Sequence, residues 1–179
     1  MHTYRAILTK RDIRTFADKA IPDDTLRKIL NAGRMSGSSR NSQPWHFVVV
    51  RDRTRLKTLS GFGRFAQHVA TAAAAVCVVL DSPRAAFDGG RCAQNIMLAA
   101  WNFGIGSCPA SMHRHDEARA FLGAPDTHAV VTVISLGYPH PKGRGAVERT
   151  ALRILAGRGR RPLASLVSWE LYGAGSPGI

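Results

Sequence analysis

The sequence predicts an α/β or α+β fold in which helices alternate with a few buried strands around one core. Three observations carry this prediction. Apolar runs at 45–50, 73–80 and 129–136 have the length and continuity of buried strands. The segments between them contain amphipathic or apolar stretches that end at glycines. No composition shift or Pro/Gly/Ser-rich linker divides the 179 residues, so we expect residues 1–179 to form one domain.

The first helix is predicted to begin near Ile21 and to end near Gly33. Pro22 and the two aspartates after it suit a first helical turn, where N–H groups are exposed and the helix dipole favours negative charge. The apolar face of this helix comprises Leu26, Ile29 and Leu30.

A second helix is predicted to follow Asp88–Gly90 and to end at Asn102–Gly104, and its part from Cys92 to Phe103 is apolar around most of its circumference. Such a helix is buried centrally, and we expect it at a subunit interface because a chain of this length offers few layers to cover it. The remaining predicted elements are a short strand or loop at Ile105–Ser111, a helix at Asp116–Leu122 and a strand-like arm at Leu163–Leu171.

The composition excludes several classes of protein. Lys and Arg number 25 against 12 Asp and Glu, a net charge of +13, but no nucleic-acid-binding motif accompanies them, so we expect no specific nucleic-acid partner. The longest apolar run ends at Asp81, well short of the ~20 residues that a membrane span needs. The N-terminus lacks the apolar segment of a signal peptide, and three cysteines without metal-ligand spacing fit a reducing, cytoplasmic compartment.

The most informative stretch of the chain is Gly37–Val50, where a polar loop of small residues leads directly into an apolar strand. Small hydroxyl and amide residues let a flat polar ligand approach the backbone closely, and the strand would hold the loop rigidly. An ordinary loop–strand junction explains the same residues.

Two basic clusters and one stretch of small residues complete the candidate chemistry. Lys10–Phe16 holds three cations that would repel one another without an anion among them, and Arg158–Pro162 combines arginine with glycine. A solvated turn and a surface loop are the simpler interpretations of these clusters. Gly106–Ser111 would let backbone N–H groups face a planar ring, or would form a tight turn.

Taken together and in order, these pieces resemble the FMN-dependent nitroreductase family over residues 5–172. The motifs are Lys10–Phe16, Ser38–Phe47, Ala93–Asn95 with Gly104–Ser107, Leu136–Pro139 and Gly159–Leu163. The resemblance implies an α+β fold with a mixed sheet flanked by helices. It also implies an intertwined homodimer with two FMN molecules in the interface, each touched by both subunits.

The resemblance also assigns residues to the cofactor. The FMN phosphate would be held by Lys10, Arg11 and Arg14, with Arg158 and Arg160 closing from the tail. From the other subunit the flavin would be reached by Gly37, Ser38, Ser39 and Asn41. Along the ring would lie Pro109, Ala110 and Ser111, with the Ser111 N–H near flavin N5. Against the pyrimidine edge would lie Gln67 or His68.

The activity that the resemblance implies is hydride transfer from NAD(P)H, or from a reduced deazaflavin, to N5 of FMN and onward to a nitroaromatic, quinone or similar acceptor. No side-chain acid or base is strictly required, so we assign no firm catalytic residue. A noncatalytic protein that binds or sequesters flavin is the alternative.

This sequence departs from the common family pattern at several positions. Asp12 stands where most members have Ser, and together with Ser111 it matches the flavin-fragmenting branch that makes 5,6-dimethylbenzimidazole. A simpler interpretation is that Asp12 neutralises Arg11 or Arg14. Residues 81–90 leave no room for the lid helices of many relatives, which argues against a sealed site. Met112 replaces a common Gly and is expected to narrow the substrate cleft.

Overall fold

The computed structural model describes residues 2–141, 143 and 160–173. The chain divides into two compact units, residues 1–143 and 144–179, and all of the elements below lie in the first. The helices are α1 (Thr3–Thr9), α2 (Asp23–Arg34), α3 (Arg53–Ser60), α4 (Gln67–Ala70), α5 (Ala86–Asn102) and α6 (His115–Phe121). The strands are β1 (Trp45–Val50), β2 (Ala74–Leu80), β3 (Gly106–Ala110) and β4 (Ala129–Gly137).

The four strands form one sheet in the order β1-β2-β4-β3, and every neighbouring pair is antiparallel. This confirms the α+β class. In the described residues, the parallel pairing expected of a mixed sheet is confined to an isolated bridge between Asp12 and Ser107.

The sheet carries a hydrophobic core on each face, and the alternation of β2 explains both. Successive side chains of a strand point to opposite faces. Val76, Val78 and Leu80 therefore pack with α2 and α5, while Cys77 and Val79 pack with α3, α4 and α6. Since β2 is covered on both faces, its whole length is apolar and buried.

The predicted helices and strands of the first unit are confirmed to within a few residues, and Ile105–Ser111 resolves into β3. Sequence reasoning missed α1, α3, α4 and the start of α5, which begins at Ala86, before the Asp88–Gly90 stretch that is predicted to precede it. Helix α3 contributes only Leu56 and Leu59 to the core, and its start is fixed by the Asp52 carboxylate, which accepts a hydrogen bond of 2.8 Å from the Arg55 N–H.

The strand-like arm predicted at Leu163–Leu171 is wrong. Residues Leu163–Ser165 form a 3₁₀ turn, and the described residues that follow contain bends and turns. The Ser165 hydroxyl and N–H both donate to the Pro162 carbonyl, at 2.8 and 3.0 Å. Serine competes in this way for local backbone groups that a strand would need.

The connection from β2 to α5 is short, as expected, because residues 81–85 contain only the 3₁₀ turn Pro83–Ala85. Across residues 2–141, 143 and 160–173, each helix is too short or too polar to cross a bilayer.

Candidate functional site

The basic segment Lys10–Phe16 lies along the outer edge of β3. The Ile13 N–H donates to the Ser107 carbonyl at 2.9 Å, and Phe16 forms a bridge with Pro139 beyond the end of β4. The segment therefore lies on the sheet as extended chain, and its position is set by the same strand that carries the small residues predicted to face a ring.

Two glycines make room for this segment. Gly106 and Gly137 are paired in the β3–β4 register. A Cβ on Gly106 would lie 2.7 Å from the Ile13 Cβ, and one on Gly137 would lie 2.8 Å from the Phe16 ring. The absence of side chains at this pair lets Ile13 and Phe16 pack flat against the sheet and fix the cations between and before them.

The charges of the segment are divided between an internal ion pair and uncompensated arginine. The Lys10 ammonium lies 2.5 Å from an Asp12 carboxylate oxygen and 3.6 Å from the Met97 sulfur. Asp12 therefore pairs with Lys10, so our expectation that it neutralises Arg11 or Arg14 is wrong: the Arg11 guanidinium is bonded to backbone carbonyls instead, and Arg14 forms no ion pair among the described residues.

Arg11 and Arg14 remain available to an anion. Arg11 donates from Nη1 to the carbonyls of Leu8 and Lys10, both at 2.9 Å, which anchors it at the C-terminal end of α1. Arg14 is exposed and forms no ion pair among the residues that the structure describes. Guanidinium groups suit bidentate contact with phosphate.

The C-terminal end of β3 presents a surface of small residues. Pro109 and Ser111 are exposed, while Ala110 between them is turned into the core. Nearer the basic segment, the Ser107 hydroxyl is fully buried and has no hydrogen-bond partner among the described residues. A buried polar atom without a partner is rare in a folded protein and is a mark of a site or of strain.

The loop between α3 and α4 supports this strand end from one side. The Phe62 carbonyl accepts hydrogen bonds from the N–H groups of His113 and Arg114, at 2.9 and 3.0 Å. A Cβ on Gly63 would lie 2.7 Å from the Ser111 carbonyl oxygen. Sequence reasoning missed Gly63, because a lone glycine in a polar loop carries no local signal of close backbone contact.

The structure separates the two candidates for the pyrimidine edge. Gln67 is exposed at the start of α4, and its amide donates to the Arg64 carbonyl at 3.0 Å. His68 is buried under the sheet, where its Nδ1 lies 2.7 Å from the Ser135 hydroxyl. Gln67 is therefore the candidate that a ligand could reach.

Met112 does not narrow a cleft, so that expectation is wrong. Its side chain is 1% exposed and belongs to the core formed with α3 and α4. The alternation along the chain past β3 turns Ser111 outward and Met112 inward.

The polar loop at 37–43 has a strained backbone. Three non-glycine residues have positive φ: Arg40 at 51°, Asn41 at 54° and Gln43 at 49°. The Ser38 hydroxyl accepts a hydrogen bond of 2.9 Å from the Gln43 N–H. The exposed side chains of Ser39 and Asn41 form no hydrogen bonds with the described part of the chain, so both remain available to a ligand.

This loop and the basic segment do not meet within one protomer. Helix α5 contacts the loop through Asp88 and the basic segment through Met97. Nine residues of α-helix place these two contacts about 14 Å apart along the axis and on roughly opposite sides of it.

Two predicted residues lie outside this description. Arg158 is not among the described residues, and Arg160 belongs to the second unit, where it is exposed. Their assignment to a phosphate stays a prediction.

The cysteines are buried thiols without a role as nucleophiles. Burial raises the pKa of Cys77 from 9.0 to about 12, against a smaller lowering by the charge of Arg55. Burial also raises the pKa of Cys92 to about 12, against a smaller lowering by a hydrogen bond with Ser36. Among the described residues, no cluster of His, Cys, Asp or Glu is placed to hold a metal ion.

Comparison with known proteins gives a consistent family match. Residues 7–79 and 63–138 match the model of the Nitroreductase family. A protein of Archaeoglobus fulgidus, provisionally named NADH dehydrogenase/NAD(P)H nitroreductase, is 38% identical over 146 residues, covering 75% of this chain and 84% of its own length. The NADPH-flavin oxidoreductase of Vibrio harveyi is 29% identical over 158 residues, covering 77% of this chain and 66% of its own.

A solved structure extends the match to the fold. The NADPH:FMN oxidoreductase of Vibrio harveyi, solved in complex with NAD+, superposes with a TM-score of 0.80 at 26% identity. The alignment covers 95% of this chain and 77% of that one.

Proposed function

The chain belongs to the nitroreductase family, and from that premise we propose that it is an FMN-dependent oxidoreductase of NAD(P)H whose acceptor is a nitroaromatic, a quinone or a similar small molecule. The observation that carries the proposal is the arrangement along β3. Uncompensated Arg14 and anchored Arg11 lie beside one end of this strand, and exposed Pro109 and Ser111 lie at its other end.

The residues present fit a flavin mononucleotide. Arg11 and Arg14 offer guanidinium groups to a phosphate. Asp12 does not oppose that anion, because its charge is already compensated by Lys10 at 2.5 Å. An ion pair between Lys10 and Asp12 also explains how a carboxylate is tolerated in a segment that we expect to bind phosphate.

The strand end would hold the ring. Pro109, Ala110 and Ser111 present little side-chain bulk, so a planar group can approach the backbone, and the Ser111 N–H is the donor we assign to the edge that carries N5. Gln67 offers an exposed amide to the pyrimidine edge. When bound, FMN supplies a centre that accepts hydride and passes it on.

A homodimer would complete the site. Helix α5 separates the polar loop from the basic segment, so one flavin in contact with both needs the loop of a second copy. The outer edge of β1 is not paired with any described strand, and exposed apolar side chains in the second unit suit burial on a partner: Leu163, Leu166, Leu171 and Tyr172.

A stopped-flow experiment tests the activity. Purified protein reconstituted with FMN is mixed anaerobically with NADH, NADPH or a reduced deazaflavin, and flavin absorbance near its visible maximum is followed. We expect rapid bleaching by at least one donor, followed by reoxidation with a quinone or nitroaromatic. Absence of bleaching by all three donors would favour a protein that only holds flavin, and absence of FMN binding would reject both interpretations.

A reducing compartment fits this activity. Cys77, Cys92 and Cys108 are buried, and burial raises the pKa of Cys77 and of Cys92 to about 12, so these two lack the exposed, low-pKa character of a redox thiol. We therefore place the enzyme in the cytoplasm, in the same compartment as its NAD(P)H.

A further inference from the structure

One face of α5 contacts the polar loop and the residue before it. Three residues at helical positions i, i+3 and i+7 contact the loop or Ser36, the residue immediately before it: Asp88, Arg91 and Asn95. Residues at these spacings lie on one side of a helix. The loop is therefore attached to a rigid element along its first residues rather than held by its own turns alone.

The contacts differ in which part of the loop they fix. Asn95 donates to the Ser36 hydroxyl at 2.7 Å, immediately before the loop. A Cβ on Gly37 would lie 2.7 Å from the Arg91 guanidinium. These two contacts fix Ser36 and Gly37, where the loop begins.

Asp88 fixes the part that follows. One of its carboxylate oxygens accepts a hydrogen bond of 3.1 Å from the Ser39 N–H, and the other lies 3.5 Å from Arg91. The Asp88 side chain is only 13% exposed. Immediately after Ser39, the backbone enters the left-handed region at Arg40 and Asn41.

Strained backbone persists only where surrounding contacts determine it. Non-glycine residues with positive φ cost free energy, and Arg40, Asn41 and Gln43 have no intrinsic preference strong enough to adopt this course together. Loss of the Ser39 contact would leave the loop free to relax between Gly37 and Gln43, which would displace the side chains of Ser39 and Asn41.

We propose that Asp88 is a positioning residue for cofactor binding, which holds Ser39 and Asn41 in the geometry that receives the flavin of the partner subunit. This inference rests on the proposed function, since it assumes that the loop contacts FMN. Asp88 contacts the loop through the Ser39 N–H, so in this role it acts on the cofactor through the loop.

A purely structural role makes a different prediction. Asp88 lies in the first turn of α5, where a carboxylate favours the helix dipole. If that were its whole contribution, replacing it would lower the stability of the apoprotein and leave FMN affinity unchanged. A positioning role requires an acceptor for the Ser39 N–H, which an amide oxygen also provides.

The experiment compares Asp88→Ala with Asp88→Asn. FMN dissociation constants are measured by quenching of flavin fluorescence, and apoprotein stability by urea unfolding. We expect Asp88→Ala to weaken FMN binding by about tenfold and Asp88→Asn to restore most of the affinity, since a hydrogen bond to the loop is lost only in the former. The matched controls are Asp52→Ala and Asp52→Asn, because Asp52 also accepts a backbone N–H at 2.8 Å but caps α3.

A second pair of variants removes the donor instead of the acceptor. Ser39→Pro deletes the N–H at the first position of a 3₁₀ turn, where proline fits, whereas Ser39→Ala deletes only the hydroxyl. We expect Ser39→Pro to bind FMN more weakly than Ser39→Ala. If Asp88→Ala does not fold, this second comparison tests the inference in its place.

Three results would overturn the inference while leaving the proposed function intact. The first is wild-type FMN affinity in Asp88→Ala. The second is equal affinity in Ser39→Pro and Ser39→Ala. The third is an equal loss in Asp88→Ala and Asp88→Asn, because the amide would then fail to replace the acceptor. Failure of the wild-type protein to bind FMN would instead reject the proposed function.

Discussion

At the scale of single residues, the cations of the basic segment differ in whether the described chain already supplies them with a partner, which composition alone does not show. Lys10 and Asp12 form an ion pair, and Arg11 is anchored to carbonyls at the end of α1. Arg14 has no such partner among the described residues. Arg14 is therefore the cation whose charge is most completely available to a phosphate.

Replacing Arg14 tests this assignment. We expect Arg14→Ala to raise the FMN dissociation constant roughly 10- to 100-fold, since a hydrogen bond to a charged group contributes about 1.5–3 kcal/mol. Fluorescence titration measures the change. Arg27→Ala is the matched control, because Arg27 pairs with Asp24 on the exposed face of α2. Equal affinities for the two variants would contradict the phosphate assignment.

The buried thiols predict how stability changes with pH. In the unfolded chain, Cys77 ionises above its ordinary pKa of 9.0, whereas the folded protein keeps it protonated up to a pKa of about 12. Between pH 9 and 12 the native state therefore binds more protons than the unfolded chain. The contribution of the Cys77 thiol to the free energy of unfolding then falls as pH rises, by about 1.4 kcal/mol per pH unit.

Chemical denaturation at pH 8.5, 9.5 and 10.5 measures this dependence. Cys77→Ala lowers stability at pH 8.5 by leaving a cavity, but the free energy of unfolding of this variant should fall less steeply with rising pH than that of the wild type. Parallel curves for the two proteins would show that ionisation of Cys77 does not contribute.

At the scale of elements, the paired glycines of β3 and β4 explain two of the motifs. Gly106 and Gly137 are empty positions that receive Ile13 and Phe16, so the cations of the basic segment depend on a feature of the sheet far away in sequence. The sequence shows the glycines and the basic residues. Only the structure shows that Gly106 and Gly137 are neighbours in the sheet and that the basic segment packs against them.

Filling one of these positions tests the dependence. Gly106→Ala would place a Cβ 2.7 Å from the Ile13 Cβ, which belongs to the rigid part of that residue. We expect a loss of about 1–3 kcal/mol in unfolding free energy and weaker FMN binding, because the segment must move off the strand. Gly90→Ala is the control, since a Cβ there meets nothing within 4 Å. A destabilised Gly106→Ala protein with unchanged FMN affinity would show that the segment does not hold the cofactor.

Elements with strong periodicity were predictable, and those fixed by single contacts were not. Strand β2 and helix α5 are long apolar segments whose burial follows from composition. Helix α3 depends on a cap at Asp52, and the turn at Leu163–Ser165 depends on Ser165 bonding back to Pro162. Such local hydrogen bonds decide between conformations that the hydrophobic pattern leaves equally favourable.

The candidate site shows the same division. The resemblance picked out Arg14, Ser111 and Asn41 from motifs, but it did not identify Asp88 or Gly63. These two act through a backbone N–H and a close backbone approach, and neither interaction leaves a pattern in a single sequence.

At the scale of the whole molecule, we propose that one flavin is held by two copies of the chain. Within a protomer, α5 stands between the polar loop and the basic segment. Each half of the site offers side chains that have no hydrogen-bond or ion-pair partner in the described part of the chain. These are the side chains of Arg14 in one half and of Ser39 and Asn41 in the other. A symmetric dimer would bring each half against its complement twice.

Mixed dimers test this claim most directly. Arg14→Ala and Asn41→Ala chains, carrying different tags, are coexpressed, and the dimer with one chain of each is purified and titrated with FMN. We predict that this mixed dimer binds one FMN with wild-type affinity, because one of its two sites combines Arg14 and Asn41 from different chains, while both variant homodimers bind weakly. Two weakened sites in the mixed dimer, neither with wild-type affinity, would contradict a shared site, since each chain would then be supplying the whole of its own site.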